Sequence, residues 1–169
     1  QNISGYIQLA EASNCVNSDS MAFPGAIVSF VLGGEKFSVT TDSSGYYFAA
    51  LPVGTYQLEV DLPYNYWAPC NLPNSVFIPP SDSVLLNIPI GSVSNCTDPI
   101  VELSTNFTRR CFENTYQVGY ANYGTIGSDT TLVTVTLDTA LFYLSSTIAP
   151  LFQDDSILVF DVGPLAPLE

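Results

Sequence analysis

Carboxylates are the only side chains in this sequence present in enough number to do acid–base chemistry. Asp154 and Asp155 are adjacent, and Glu35, Glu59 and Asp61 lie near one another along the chain. Glycoside hydrolysis needs two such groups held at a fixed separation across a cleft. Each acid here falls instead in an expected turn or at a strand end, where solvated carboxylates are ordinary. Histidine is absent, which removes the commonest general base and metal ligand. No Ser-His-Asp arrangement can exist without it. The inventory leaves no catalytic residue to name and points away from an enzyme.

Groups that could bind or cross-link are better represented. Tyr64, Tyr66 and Trp67 cluster beside Cys70 and several prolines. An exposed aromatic cluster can stack on a sugar or dock a neighbouring domain; the plainer reading is that it closes one end of a β-domain. The four cysteines, Cys15, Cys70, Cys96 and Cys111, allow three pairings. Two fall in each half of the chain, which favours disulfides Cys15–Cys70 and Cys96–Cys111; the alternative is four buried thiols. Their spacing is too wide for CxxC metal or redox motifs. Asn2, Asn95 and Asn106 head N-glycosylation sequons.

Composition narrows the setting. Charged residues are 11% of the chain, against about 25% in an average soluble domain. The net charge is -13, with Lys36, Arg109 and Arg110 the only cations. Binding nucleic acid requires several Lys or Arg against phosphates, so that partner is excluded, and adsorption to an anionic membrane is disfavoured. No apolar run approaches the roughly 18 residues of a membrane span. The sequence begins at Gln1 with no leader-like segment, as expected of a mature secreted product. The expected location is extracellular or on the outer cell surface.

The elements that must position these groups read as β-strands throughout. Residues 23–63 organise the first half: strands at Ala26–Leu32, Phe37–Thr41, Tyr46–Ala49 and Tyr56–Val60. Gly33-Gly34, Asp42–Gly45 and Pro52–Gly54 separate them. Short runs of period-two alternation bounded by Gly, Pro and Asp are the pattern of an antiparallel sheet. Alternation puts Tyr46 and Phe48 inward, and Tyr116 and Tyr120 on one shared face with Tyr116 in the core. Asn2–Ala10 forms a first strand with Gly5 as a bulge or edge, and Glu11–Met21 is a polar loop. Five prolines between Pro63 and Pro80 forbid a helix there. Val76–Ile78 and Val84–Ile90 are strands, and Gly91–Asp98 is a linker. Ile100–Ser104, Thr115–Tyr120, Thr130–Leu137, Ala140–Ser145 and Ser156–Phe160 supply the strands of the second half. The expected fold is all-β, two tandem β-sandwiches.

The ordered set Gly5, Phe23-Pro-Gly25, Thr41-Asp-Ser-Ser-Gly45-Tyr-Tyr-Phe48 and Leu51-Pro-Val-Gly54-Thr-Tyr56 resembles the carboxypeptidase-regulatory-like or collagen-adhesin B-type domain. That resemblance covers residues 1–92 and implies a prealbumin-like sandwich with Tyr56 packed inside. Arg109-Arg-Cys-Phe-Glu-Asn-Thr-Tyr116, Asn122-Tyr-Gly-Thr125, Val133–Asp138 and Val159–Gly163 with Leu165-Ala-Pro167 resemble an immunoglobulin-like domain of Bacteroidota surface proteins secreted by the type IX system. This covers residues 96–169. The first family often carries a calcium loop; here its equivalent offers only Asn17 and Asp19, and calcium sites usually need several carboxylates. No cofactor is expected. Lys36, the only lysine, stands exposed beside the Gly33-Gly34 turn, so no isopeptide bond is expected. Bacteria of this kind attach O-glycans at Asp-Ser/Thr-aliphatic sites, which makes Ser20, Ser83, Thr139 and Ser156 candidates.

In the second family the Leu165–Glu169 turn leads into a further strand, so that domain reads as incomplete at its C-terminal edge. The resemblance implies a non-catalytic structural or adhesive surface module. Alternatives are a self-assembling extracellular filament subunit completed by strand donation from a neighbour and a carbohydrate-binding accessory module. Expected partners are neighbouring domains or subunits, surface glycans or a host protein.

Overall fold

The computed structural model describes residues 1–10 and 17–169, with residues 17–20 by backbone alone. The fold is all-β: among the described residues there are fifteen strands in four sheets. The chain divides into two compact units, Gln1–Ser94 and Asn95–Glu169.

In the first unit, β1 (Asn2–Ala10), β2 (Asn17–Ala22), β3 (Ile27–Leu32), β4 (Glu35–Thr40), β5 (Tyr46–Ala50), β6 (Gly54–Asp61), β7 (Trp67–Pro69), β8 (Ser75–Ile78), β9 (Val84–Leu85) and β10 (Ile88–Ser92) form two sheets. The four-stranded sheet runs β4-β3-β6-β8, all antiparallel. Gly33 and Gly34 both take positive φ, the two-residue turn that suits the twist of a β3–β4 hairpin. Register aligns Phe30 with Phe37 on one side and Leu58 on the other. One face of this sheet is therefore apolar. The other carries a Ser29–Ser38 hydrogen bond of 2.9 Å and the Lys36–Glu59 ion pair at 2.8 Å, which reaches across β3.

The six-stranded sheet is centred on β1, which divides its length between two sets of neighbours. Residues 2–6 pair antiparallel with β5, and Ile3 and Ser4 run parallel to β9. Residues 7–9 run parallel to β10, whose far edge takes β7, and the last residues of β1 meet β2. The two sheets meet through Phe30 and Tyr47, with ring centroids 6.4 Å apart; Phe30 also stands edge-on to Tyr56 at 6.4 Å. Ile3, Ile7, Phe23, Val28, Phe30, Tyr47, Tyr56, Ile78, Ile88 and Ile90 are fully buried around this contact.

Polar atoms close the ends of the core. The Thr41 hydroxyl is buried, accepts from the Ala26 amide at 2.9 Å and donates to the Phe23 carbonyl at 2.9 Å. The Tyr56 hydroxyl donates to the Pro52 carbonyl, and that of Tyr47 to the Leu86 carbonyl at 2.7 Å. Burial pushes the Tyr47 phenol well up from its ordinary range. In the Asp42–Gly45 turn the Asp42 carboxylate accepts from the Ser44 hydroxyl, the Ser44 amide and the Tyr46 amide, and these bonds hold its pKa below the ordinary carboxylate value.

Several expectations are corrected. On β5 it is Tyr47 that points inward, while Phe48 is exposed and Tyr46 half-buried beside Tyr6. Gly5 decides this. It stands opposite Tyr47 in register, and a Cβ there would lie 1.8 Å from the Leu86 carbonyl oxygen and 3.2 Å from the Tyr47 ring. The missing side chain makes room for the ring and for the crossing backbone. Strand β2, headed by Asn17, takes the place of the later part of the expected 11–21 loop, because pairing with β1 recruits a segment that has no apolar alternation of its own. The 140–145 segment is not a strand, and β7 and a short strand at Phe152–Gln153 are additions that alternation does not reveal.

Two outcomes follow. Gly5→Ala forces backbone apart, so urea unfolding followed by Trp67 fluorescence should show a loss of about 3 kcal/mol or more; a wild-type midpoint would show that β1 does not depend on this close approach. The depressed Asp42 pKa means that its stabilising contribution is present above the unfolded value of about 3.9 and is lost as pH falls through the folded value. An NMR titration should place Asp42 below the ordinary carboxylate midpoint, and Ser44→Ala should move it up.

Candidate functional site

The second unit contains β11 (Pro99–Ser104), β12 (Gln117–Asn122), β13 (Ser128–Thr136), β14 (Phe152–Gln153) and β15 (Ile157–Leu165). β13-β15-β14 form one antiparallel sheet and β11-β12 a separate two-stranded ribbon. Few side chains here are buried: Val133, Leu158 and Leu165 among the hydrophobics, and Asn122 among the polar residues.

Asn122 holds the base of the ribbon. Its side-chain oxygen accepts from the Asp98 and Gly124 amides, each at 3.0 Å, and its side-chain nitrogen donates to the Ile126 carbonyl at 2.9 Å. Its backbone amide donates to the Glu169 carbonyl, and its carbonyl accepts from the Leu168 amide. Gly124 is needed beside it, because a Cβ would stand 2.3 Å from the Cys96 carbonyl oxygen. The Glu169 carboxylate closes the last turn by accepting from the Ala166 amide.

Register sorts the ribbon into two faces. Val101 stands opposite Tyr120 and Leu103 opposite Val118, while Glu102 faces Gly119 and Ser104 faces Gln117 on the other side. One face is apolar; the other mixes the Ile100–Ala121 pair with Glu102, Ser104 and Gln117, the division that period two produces. The apolar face is uncovered: Val101 and Leu103 are each 59% exposed and Tyr120 is 38% exposed. Tyr116, expected in the core, is as exposed as Tyr120. Among the described residues neither β11 nor β12 pairs with a third strand; on β12 only Asn122 is bonded outward, to Leu168 and Glu169. An isolated two-stranded hairpin is marginally stable in water.

The loop joining the two strands is ordered by side chains. Asn114 accepts from the Arg109 amide at 2.6 Å and donates to the Arg109 and Phe112 carbonyls. Thr105 donates to the Thr115 carbonyl, extending the ribbon by a rung. Arg109 lies over the exposed Phe107 ring at 5.3 Å. Arg110 is exposed beside it.

This geometry overturns the expected disulfide between Cys96 and Cys111; no disulfide joins two of the described residues. Cys96 is fixed at the ribbon's base, its amide bonded to the Thr125 hydroxyl and its carbonyl to the Thr125 and Ile126 amides. Cys111 sits in the loop at the opposite end with positive φ, an exposed free thiol. The 6 residues of β11 separate the two ends by about 20 Å, against the roughly 7 Å maximum that a disulfide tolerates between Cα atoms. Proximity in sequence misled here because a hairpin carries its loop away from its base. The pairing Cys15–Cys70 falls on Cys15, which lies outside the described residues.

The remaining candidates are placed as follows. Trp67 is buried in β7, edge-on to Phe23 with centroids 5.9 Å apart, and Tyr64 and Tyr66 are half-buried. Asn2, Asn95, Asn106, Ser83, Thr139 and Ser156 are exposed. Asn17, Asp19 and Ser20 lie in β2, where only backbone is described. Among the described residues no group of three or more His, Cys, Asp or Glu could hold a metal ion, and no helix is long and apolar enough to cross a membrane. The acids named for chemistry are scattered: Glu59 is tied to Lys36, and Asp154 accepts from the Ser156 and Ile157 amides, which lower its pKa.

No protein-family model matches this chain, and no curated protein or solved structure is similar to it. Among the described residues the β11–β12 ribbon is a two-stranded sheet with an uncovered apolar face. Sequence reasoning located its strands, but the signal for exposure was indirect: Ile100-Val-Glu-Leu-Ser104 and Gln117-Val-Gly-Tyr-Ala121 alternate no differently from core strands.

Because Asn122 is 1% exposed and answers several backbone groups, Asn122→Ala should leave buried amides unpaired at about 1–3 kcal/mol each. Amide exchange at Gly124 and Leu168 should accelerate sharply in the variant. Unchanged protection at both positions would remove Asn122 as the clasp.

Proposed function

We propose that this chain is a non-catalytic structural module of the cell exterior whose second unit is completed by a β-surface from a neighbour. The observation that carries the reading is the β11–β12 ribbon, with Val101, Leu103, Val118 and Tyr120 uncovered on one face and no third strand beside it among the described residues. Unpaired, uncovered strands of this kind are a hazard unless a partner occupies them, and strand or sheet addition is a common way of doing so. The first unit fits the role of a scaffold: its apolar side chains are buried between two sheets and its one cation is tied in the Lys36–Glu59 pair.

The family readings belong with this proposal. A prealbumin-like first unit is supported by the Asp42–Gly45 turn and by the burial of Tyr56 beside the Pro52–Gly54 turn. An immunoglobulin-like second unit is supported by the Asn122–Thr125 clasp and the turn that closes on Glu169. The extracellular setting rests on a surface poor in charge and rich in Ser, Thr, Asn and Tyr; the cysteines add nothing to it. A carbohydrate-binding role finds no comparable support, since the Trp67 ring is engaged with Phe23.

Material taken from its natural source should carry this chain inside polymers or larger assemblies, visible by electron microscopy and sedimentation. Val101→Asp with Leu103→Asp should reduce its incorporation at least tenfold. Native material consisting of monodisperse monomers, or full incorporation of the double variant, would overturn the reading.

A further inference from the structure

The ribbon's charges are sorted along its length. Arg109 and Arg110, two of the three cations in a chain of net charge -13, stand together at the loop end, where Glu113 is the only acid. The third cation, Lys36, is paired with Glu59, and that is the only ion pair among the described residues. At the opposite end, Asp98 precedes β11 and Glu169 is held against Asn122. Glu102 lies between the ends but on the mixed face, opposite Gly119. The ribbon thus has a basic loop end and an acidic base, with the uncharged Val101–Leu103–Val118–Tyr120 face between them.

Resting on the reading above, we propose that the neighbour is a second copy of this chain, and that two β11–β12 ribbons pack apolar face to apolar face in antiparallel orientation. In the aligned class of face-to-face sheet packing strands stay within about 30° of one another, and within it there is a parallel and an antiparallel choice. The parallel choice sets Arg109 and Arg110 against their own copies and Asp98 against Asp98. The antiparallel choice sets each basic end beside the partner's acidic end, twice by symmetry, as an isologous two-fold contact requires. Val101, Leu103, Val118 and Tyr120 of each copy then cover one another. The chain has no further Lys or Arg outside the Lys36–Glu59 pair, so no second basic site competes for an acidic copy.

The charges also account for specificity. Two molecules of net charge -13 repel at long range, so contact away from the Arg109–Arg110 end is opposed. A ribbon about 20 Å long and two strands wide gives an interface at the small end of the specific range, below about 1,200 Å² in total. The expected association is therefore weak and concentration-dependent.

Sedimentation equilibrium on the purified chain tests this with two charge reversals. Arg109→Glu/Arg110→Glu and Asp98→Lys should each weaken self-association at least tenfold. Mixed in equal amounts they should restore it to near the wild-type level, since both ends of the mixed pair are then complementary. Circular dichroism of each variant checks that the fold is kept. If Leu103→Asp abolishes association while neither reversal moves it, the antiparallel arrangement is overturned and the ribbon stands as a docking surface. If the chain stays monomeric at millimolar concentration yet enters native assemblies through the ribbon, the second-copy assignment is overturned and the proposed function stands. If Leu103→Asp alters neither self-association nor incorporation into native assemblies, both fall.

Discussion

A β-strand assigns its residues alternately to two faces, and an apolar face has to be covered by something. That constraint organises the whole molecule. In the first unit it is met internally: Phe30 and Tyr47 bring two sheets together, and the side chains of β1, β3, β6 and β10 fill the space between them. In the second unit the same alternation produces an equally apolar strip on β11 and β12, but this strip remains exposed. The two units thus obey one rule with opposite outcomes, and the functional reading comes from that contrast.

What holds the second unit together is correspondingly different in kind. Its buried hydrophobic side chains are few, and the link between the ribbon base and the segment after β15 runs through Asn122. A buried amide with its donors and acceptors satisfied fixes geometry more sharply than it adds net stability, because each bond formed replaces one to water. The clasp therefore presents the ribbon in a defined orientation without covering it. An arm that is positioned but not enclosed suits a surface that has to meet a partner.

The turn chemistry was legible in the sequence. Gly33-Gly34 and Asp42–Gly45 form the turns expected of them, and the strands they separate lie close to where alternation put them. The inward face of β5 was not legible, because Tyr46, Tyr47 and Phe48 are all bulky and apolar enough to be core. The choice was made by Gly5, which is distant in sequence and whose importance lies in the side chain it lacks. Cys96 and Cys111 failed for a related reason: linear proximity carries no information about which end of a hairpin a residue occupies. The uncovered ribbon was hidden in the same way, since exposure of an apolar face depends on what is packed above it rather than on its own pattern.

One feature of the first unit bears on how the chain is made. β1 lies parallel to β10, a strand about eighty residues later, and also borders β5 and β9. The β4-β3-β6-β8 sheet is built from near neighbours and can form early, whereas the sheet around β1 waits for the arrival of residues 88–92. Contacts of such wide sequence separation slow folding. Until they form, Ile3, Ile7 and Leu9 have no sheet to join on that side. An emerging chain therefore carries the apolar β1 segment without its β10 partner until nearly the whole first unit has been made.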